Sequence, residues 1–149
     1  MKVLATNKRA RFDYEIHQTY LAGIMLSGQE VKSVRSGAIS LKGSFVQFKN
    51  HEAYLTNATI TPYKHASTLA DYSPTQNRKL LLQKKQLVEL RAAIQSSGMS
   101  VVPLAVGLDH NLVKVELGMG RGKKRFDKRQ TIKKRDMLRD AGRDIKPKR

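Results

Sequence analysis

Apolar and polar side chains alternate strictly in the segment before the basic C-terminal region. Val113, Val115 and Leu117 alternate with two charged residues, Lys114 and Glu116. A period of two places one set on each face of a β-strand. The pattern therefore predicts a half-buried strand with one wet face here.

Two shorter segments, 45–49 and 52–60, are rich in aromatic, Val and Thr residues, and Asn50-His51 separates them. Such runs around a short polar break are typical of a β-hairpin. The composition then changes to Pro, Ser, Thr, Tyr and Asn without any period, which predicts a long loop over 61–77.

Two longer strands are predicted on either side of these elements. The segment 14–26 indicates the first strand of the chain, with an irregularity near Ala22-Gly23. The segment 99–108 also has strand character, and its Pro103 indicates an edge position or a bulge, because proline cannot donate a ladder hydrogen bond.

A short helix is predicted after Ser27, because Ser27 and Glu30 have the spacing of a capping box. Glu30 is accordingly assigned as a structural cap, and Gly37 is placed to end the helix. On this assignment Glu30→Gln should be tolerated, since glutamine can also close the box.

A longer helix is predicted to begin near Gln83 or Lys84 and to end at Gly98. Leu87, Leu90 and Ile94 would face inward. The three leucines that precede it sweep too wide an arc for one helix face.

These elements predict a mainly β fold, a small antiparallel barrel of five or six strands with two or three helices, and the OB type is a frequent nucleic-acid platform among such barrels. The predicted body covers 1–117 and the basic tail covers 118–149. The glycines at 118, 120 and 122 predict a flexible hinge between them.

Charge is concentrated in the tail. The chain of 149 residues has a formal net charge of +17, and residues 118–149 alone have 14 basic and 4 acidic side chains. Such a small cationic protein is expected to bind a polyanion, with nucleic acid favoured over an acidic membrane surface. A helical wheel puts Met137, Leu138, Ala141 and Ile145 on one side, so the tail could fold as a helix when bound.

The residues for most catalytic and cofactor chemistry are missing. The chain has no cysteine, its four histidines are scattered, and no phosphate-binding glycine motif is present. Four aspartates in the tail lack an apolar scaffold that could hold metal geometry. We therefore expect no enzyme activity, cofactor, metal or small-molecule substrate. No apolar run approaches the about 20 residues of a membrane span, so a soluble cytoplasmic protein is expected.

Several separate motifs resemble those of the SmpB family, the SsrA-binding proteins of bacterial trans-translation. Along the chain they are Asn7-Lys8-Arg9-Ala10-Arg11, Ala22-Gly23-Ile24, Gly28-Gln29-Glu30-Val31-Lys32-Ser33, Asn57-Ala58, Ile60-Thr61-Pro62-Tyr63, Arg78-Lys79-Leu80-Leu81-Leu82 and Gly122-Lys123-Lys124-Arg125-Phe126-Asp127-Lys128-Arg129. The resemblance implies an OB-fold body that binds the tRNA-like domain of transfer-messenger RNA. It also implies a tail that enters the decoding region of the small ribosomal subunit where messenger RNA is missing. From the helical wheel we expect this tail to be helical there.

Site residues follow from the basic segments and from this resemblance. The residues expected to bind RNA are Asn7, Lys8, Arg9, Arg11, Arg78, Lys79, Leu81, Lys114, Lys123 and Lys124. The residues expected to bind the ribosome through the tail are Asp127, Lys128, Arg129, Lys133, Lys134 and Arg135.

The chain departs from the family pattern at two places. Leu21 stands where many members have an acidic residue implicated in RNA binding, so that role is not transferred. The last turn reads Asp109-His110-Asn111 instead of the common lysine-asparagine-glycine, which replaces a cation by an anion. A generic ribosomal or initiation-type OB protein and an RNA-processing enzyme are the alternative functions.

Overall fold

A seven-stranded antiparallel sheet forms most of this computed structural model, which describes residues 1–63, 72–123, 129, 132–135 and 137. The strands are β1 (Lys2–Thr6), β2 (Tyr14–Ile24), β3 (Ile39–Ser40), β4 (Phe45–Lys49), β5 (Glu52–Thr56), β6 (Thr59–Ile60), β7 (Arg78–Leu81), β8 (Ser100–Asp109) and β9 (Leu112–Gly122). The helices bounded on both sides by described residues are α1 (Lys8–Asp13), α2 (Gly28–Arg35) and α3 (Lys84–Ser97).

The order of strands in the large sheet is β1-β8-β9-β2-β7-β5-β4, and β3 pairs with β6 in a separate small ladder. Strand β4, at one end of this order, comes back into contact with β8. The sheet therefore curves into a barrel, and the predicted mainly β, OB-type architecture is confirmed.

The barrel interior is closed by aliphatic side chains from nearly every strand, together with Val34 of α2 and Leu90 of α3. Strand β8 is buried on both faces, because α1 covers its outer side. There Ala10 packs with Val102 and Leu104 in a second, smaller cluster.

Several local predictions are confirmed. Ser27 and Glu30 form the capping box of α2, and the hairpin turns at Asn50-His51, where both residues have positive φ. Helix α3 begins at Lys84 and ends before Gly98, whose φ of 63° lies in the left-handed region that favours glycine.

Other elements differ from the prediction. Strand β1 precedes the expected first strand, and the basic segment after Asn7 forms α1. The strand expected over 52–60 is broken at Asn57, which has a φ of 64°, so that β5 and β6 belong to different sheets. The described residues of the predicted loop, 61–63 and 72–77, have no helix or strand, and 64–71 lie outside the described residues.

The irregularity of β2 lies elsewhere than expected, whereas that of β8 lies at Pro103, as the bulge alternative predicted. The register of β2 against β9 shifts between Ile16 and Gln18, not near Ala22-Gly23. Pro103 does adjoin a register shift, but β8 lies between β1 and β9 and is no edge strand.

The hinge predicted at the glycines of 118–122 is wrong. Gly118 and Gly120 lie inside β9, paired with β2 on one side and β8 on the other. A Cβ at Gly120 would collide with the carbonyl group of Glu15, so glycine serves close backbone approach here. The sheet continues to Gly122, and the body therefore extends about five residues beyond the predicted boundary at 117.

Candidate nucleic-acid interface

Gly23 of β2 is the residue that brings two predicted RNA contacts together. It pairs with Leu81 of β7 on one side and with Lys114 of β9 on the other. A Cβ at Gly23 would come within 3.2 Å of the Cβ of Leu81, so the missing side chain leaves space between the two neighbours. Leu81 and Lys114, which are far apart in sequence, thus belong to one surface.

A groove of about 250 Å³ lies at this surface, and we call it the β2 groove. Gly23, Leu81 and Lys114 line it together with Arg35 of α2, whose guanidinium donates a hydrogen bond to the backbone oxygen of Asn111 at 2.8 Å. Leu81 is 49% exposed. An exposed aliphatic side chain beside two cations fits a nucleotide, which has an apolar base and an anionic phosphate.

The exposed face of β9 connects this groove to α1. Glu116 lies two residues after Lys114 and so points to the same side of the strand. Its carboxylate accepts a hydrogen bond from the Arg11 guanidinium at 3.0 Å, and Leu21 is its cross-strand neighbour on β2. Neither Arg35 nor Glu116 is among the residues expected to bind RNA, because their neighbours at this surface depend on strand register and on the turn at Asn111.

Helix α1 presents the remaining cations of the first basic segment. Lys8, Arg9 and Arg11 are exposed, and Arg9 forms an ion pair with Asp13 at 3.0 Å. Asn7 differs from them because it is only 8% exposed. Its side chain accepts a hydrogen bond from the Ala10 N–H and donates one to the carbonyl of Pro103, which fixes the start of α1 against β8.

Arg78 corrects the sequence prediction of an RNA contact. It is 2% exposed, and its guanidinium donates to Glu30, to the carbonyls of Ala58 and Pro74 and to the Tyr72 hydroxyl. Because its guanidinium makes these bonds within the protein, Arg78 is not available to contact RNA. Lys79, the next residue, remains at the surface 3.7 Å from the Glu52 carboxylate.

Glu30 has a larger role than the predicted cap, because its side chain also carries a buried charge. Burial alone would raise the pKa of Glu30, but the Ser27 N–H, the Arg78 guanidinium and the Gln76 amide together hold that pKa below its usual value. The same carboxylate accepts from the Tyr72 hydroxyl. Burial of the Tyr72 hydroxyl raises the pKa of Tyr72, and the negative charge of Glu30 is the next largest cause of that rise.

The tail is described only in part. The backbone N–H of Lys123 donates to the Asp13 carbonyl, so the chain leaves the sheet beside the end of α1. Four basic residues of the tail have helical backbone and are exposed, namely Arg129, Lys133, Lys134 and Arg135. Lys124, Asp127 and Lys128 lie outside the described residues. The Arg135 guanidinium stands over the Phe12 ring of α1, 5.5 Å from its centre.

Within the part of the chain that the structure describes, no cluster of three His, Asp or Glu side chains could hold a metal ion. No helix there is both long and apolar enough to cross a membrane.

Comparisons with known proteins agree on one family. The family model described as "SmpB protein" matches residues 4–147. The SsrA-binding protein of Synechococcus sp. (strain JA-3-3Ab) is 44% identical over 98% of this chain and 95% of its own length. The SsrA-binding protein of Staphylococcus aureus (strain Newman) is 46% identical over 96% and 92%, respectively. A solved structure described as "tmRNA-SmpB: a journey to the center of the bacterial ribosome" is similar with a TM-score of 0.65 and 42% identity, over 85% of this chain and 92% of that one.

Proposed function

Because the chain belongs to the SmpB family, we propose that it binds the tRNA-like domain of transfer-messenger RNA and delivers this RNA to stalled ribosomes for trans-translation. Its partners are transfer-messenger RNA and the ribosome. The observation that carries the proposal is the shared surface of Leu81 and Lys114 in a chain that matches the family over 4–147.

The proposal divides the work between the body and the tail. The body, extended to Gly122, holds the RNA through the β2 groove and α1. The tail occupies the decoding region and the empty messenger path of the small subunit, and it is helical there. Arg129, Lys133, Lys134 and Arg135 project from that helix, and Asp127 and Lys128 belong to the same segment.

Individual side chains of the body have different parts in this proposal. Lys8, Arg9 and Arg11 neutralise phosphates from α1, while Leu81 and Lys114 supply an apolar contact and a further cation in the β2 groove. Asn7 acts by holding α1 in place, because its own polar atoms are used inside the protein. Lys79, Lys123 and Lys124 extend the cationic surface.

The protein acts by binding and positioning RNA, and we propose that it is not an enzyme. It works where ribosomes translate, in the cytoplasm. A generic ribosomal or initiation-type OB protein would share the barrel and the charge but would have no preference for the tRNA-like domain.

Equilibrium binding of a transcript of the tRNA-like domain tests this function. We expect the full chain to prefer this transcript over an unrelated hairpin of the same length, and Lys114→Gln to weaken binding. Losing one phosphate contact should also reduce the salt slope by about 0.7 to 0.9. Lys85, exposed on α3 away from the β2 groove, provides the matched control Lys85→Gln. Equal affinity for both RNAs would instead support the generic alternative.

A further inference from the structure

A second and larger groove lies on the other side of Leu81, between α3 and strands β5 and β7. It has a volume of about 500 Å³, and we call it the α3 groove. The lining residues that matter below are Lys79, Leu81, Lys84, Val88 and Arg91. Leu81 lines both grooves, so the α3 groove continues the surface that includes Gly23 and Lys114.

The walls of the α3 groove are aliphatic and unusually exposed. Val88 is 61% exposed and Leu81 is 49% exposed, whereas Leu80 at the floor is fully buried. Val88 does not anchor α3 to the barrel, because Leu90 provides the buried contact of that helix. Single exposed aliphatic residues are ordinary, but two in one groove that adjoins a binding surface indicate a site for an apolar group.

The rim of the groove is cationic. Lys84 is exposed, and Arg91 reaches across the groove, where its guanidinium donates to Nδ1 of His51. Lys79 stands 3.7 Å from Glu52, which is the one acidic residue of the lining. Three cations against one anion leave a positive field over aliphatic walls, which suits an anion attached to an apolar group.

We propose that the α3 groove holds one unpaired nucleotide of the RNA bound in the β2 groove. Its base lies between the side chains of Leu81 and Val88, and its phosphate lies beside Lys84 and Arg91. Bases that leave the stack are commonly held between apolar side chains in this way. This inference rests on the proposed function, since it concerns the same RNA.

The occupant is RNA rather than a protein segment for two reasons visible in the structure. The rim has a net positive charge, and Leu81 connects the groove without interruption to the surface assigned to RNA. An apolar helix or strand of a partner protein would gain nothing from Lys84 and Arg91 at the edges.

Paired variants on α3 separate this site from general attraction. Val88→Glu puts an anion on the groove wall, and Ala92→Glu puts the same anion on an exposed position of α3 that does not line it. With a transcript of the tRNA-like domain and the full chain, we expect Val88→Glu to weaken binding about tenfold and Ala92→Glu about twofold. Circular dichroism melting confirms that both variants are folded.

Removal of charge provides the second pair. Lys84→Gln should weaken binding more than Lys85→Gln, although both remove one lysine from the first turn of α3. Chemical probing should show at least one unpaired base that the wild-type protein protects and Val88→Glu leaves reactive. The inference is overturned if the two glutamate variants bind equally, or if no base changes its protection. If the wild-type protein itself shows no preference for this RNA, the proposed function has failed instead.

Discussion

The Glu30 carboxylate and the Arg78 guanidinium form an ion pair of 2.6 Å, and both residues are at most 3% exposed. They are 48 positions apart, and the pair ties the start of α2 to the first residue of β7. Because Arg78 also holds the carbonyls of Ala58 and Pro74, this pair fixes the segment that leads into β7 and Leu81.

The first prediction is that Glu30→Gln destabilises the protein, contrary to what the capping box alone predicts. Glutamine can still accept from the Ser27 N–H, but it leaves the buried guanidinium without a counter-charge. Such a loss costs about 3 to 5 kcal/mol, whereas removal of the cap alone by Ser27→Ala costs about 1 kcal/mol. Urea denaturation measures both values. A Glu30→Gln variant that loses no more stability than Ser27→Ala would mean that Glu30 acts only as a cap.

The second prediction concerns acid. The pKa of Glu30 is held below its ordinary value of 4.5, so its ionised form stabilises the fold above that pH. This contribution is lost as the pH falls through the lowered pKa. The difference in unfolding free energy between wild type and Glu30→Gln should therefore be constant near neutrality and shrink below pH 4.5. A difference that grows on acidification would contradict the account.

The third prediction separates close packing from flexibility in β9. Gly120→Ala should cost more than about 1 kcal/mol, because the new Cβ meets the Glu15 backbone. Gly122→Ala is the matched control, since the nearest atom to its Cβ would be Tyr14 Cε1 at 4.0 Å. Thermal unfolding compares the two variants, and equal melting temperatures would contradict the close packing of Gly120 against Glu15.

Elements that depend on neighbouring residues could be predicted from the sequence, whereas those that depend on distant partners could not. The capping box, the Asn50-His51 turn and the end of α3 depend on neighbouring residues, and all three were predictable. Helix α1 was not, because its six residues are held by Asn7 bonded to Pro103, 96 positions away. The burial of Arg78 likewise depends on a distant partner.

In the candidate interface, too, some features could be predicted from the sequence and others depend on contacts between distant residues. Leu81 and Lys114 were identified from the family resemblance, but only strand register showed that Gly23 places them side by side. The α3 groove had no signal in the sequence, since Val88 looks like any apolar position of an amphipathic helix.

The fourth prediction is that Met137→Pro abolishes rescue of stalled ribosomes but leaves affinity for the isolated tRNA-like domain within about twofold. Proline breaks a helix without removing charge, and Met137 has helical conformation here. Met137→Ala is the control, because alanine favours a helix. If the proline variant rescues ribosomes as well as the alanine variant does, the tail acts through its charge alone.

The fifth prediction concerns the charged residues at the start of the proposed tail helix. Changing Asp127, Lys128 and Arg129 together to alanine should leave affinity for the isolated RNA within a few fold, since the body holds that RNA. Rescue should be lost, because these side chains are proposed to meet the small subunit. Parallel binding and rescue assays on one preparation measure both effects, and a matched loss in the two would assign the three residues to RNA binding.

The central claim is tested most directly by tag addition in a reconstituted translation system. Ribosomes are stalled on a messenger RNA without a stop codon, transfer-messenger RNA is supplied, and the tagged product is measured with the full chain, with residues 1–123, or with neither. We predict tagging only with the full chain, although residues 1–123 still bind the RNA. Equal tagging without the protein, or with the truncated protein, would contradict the account.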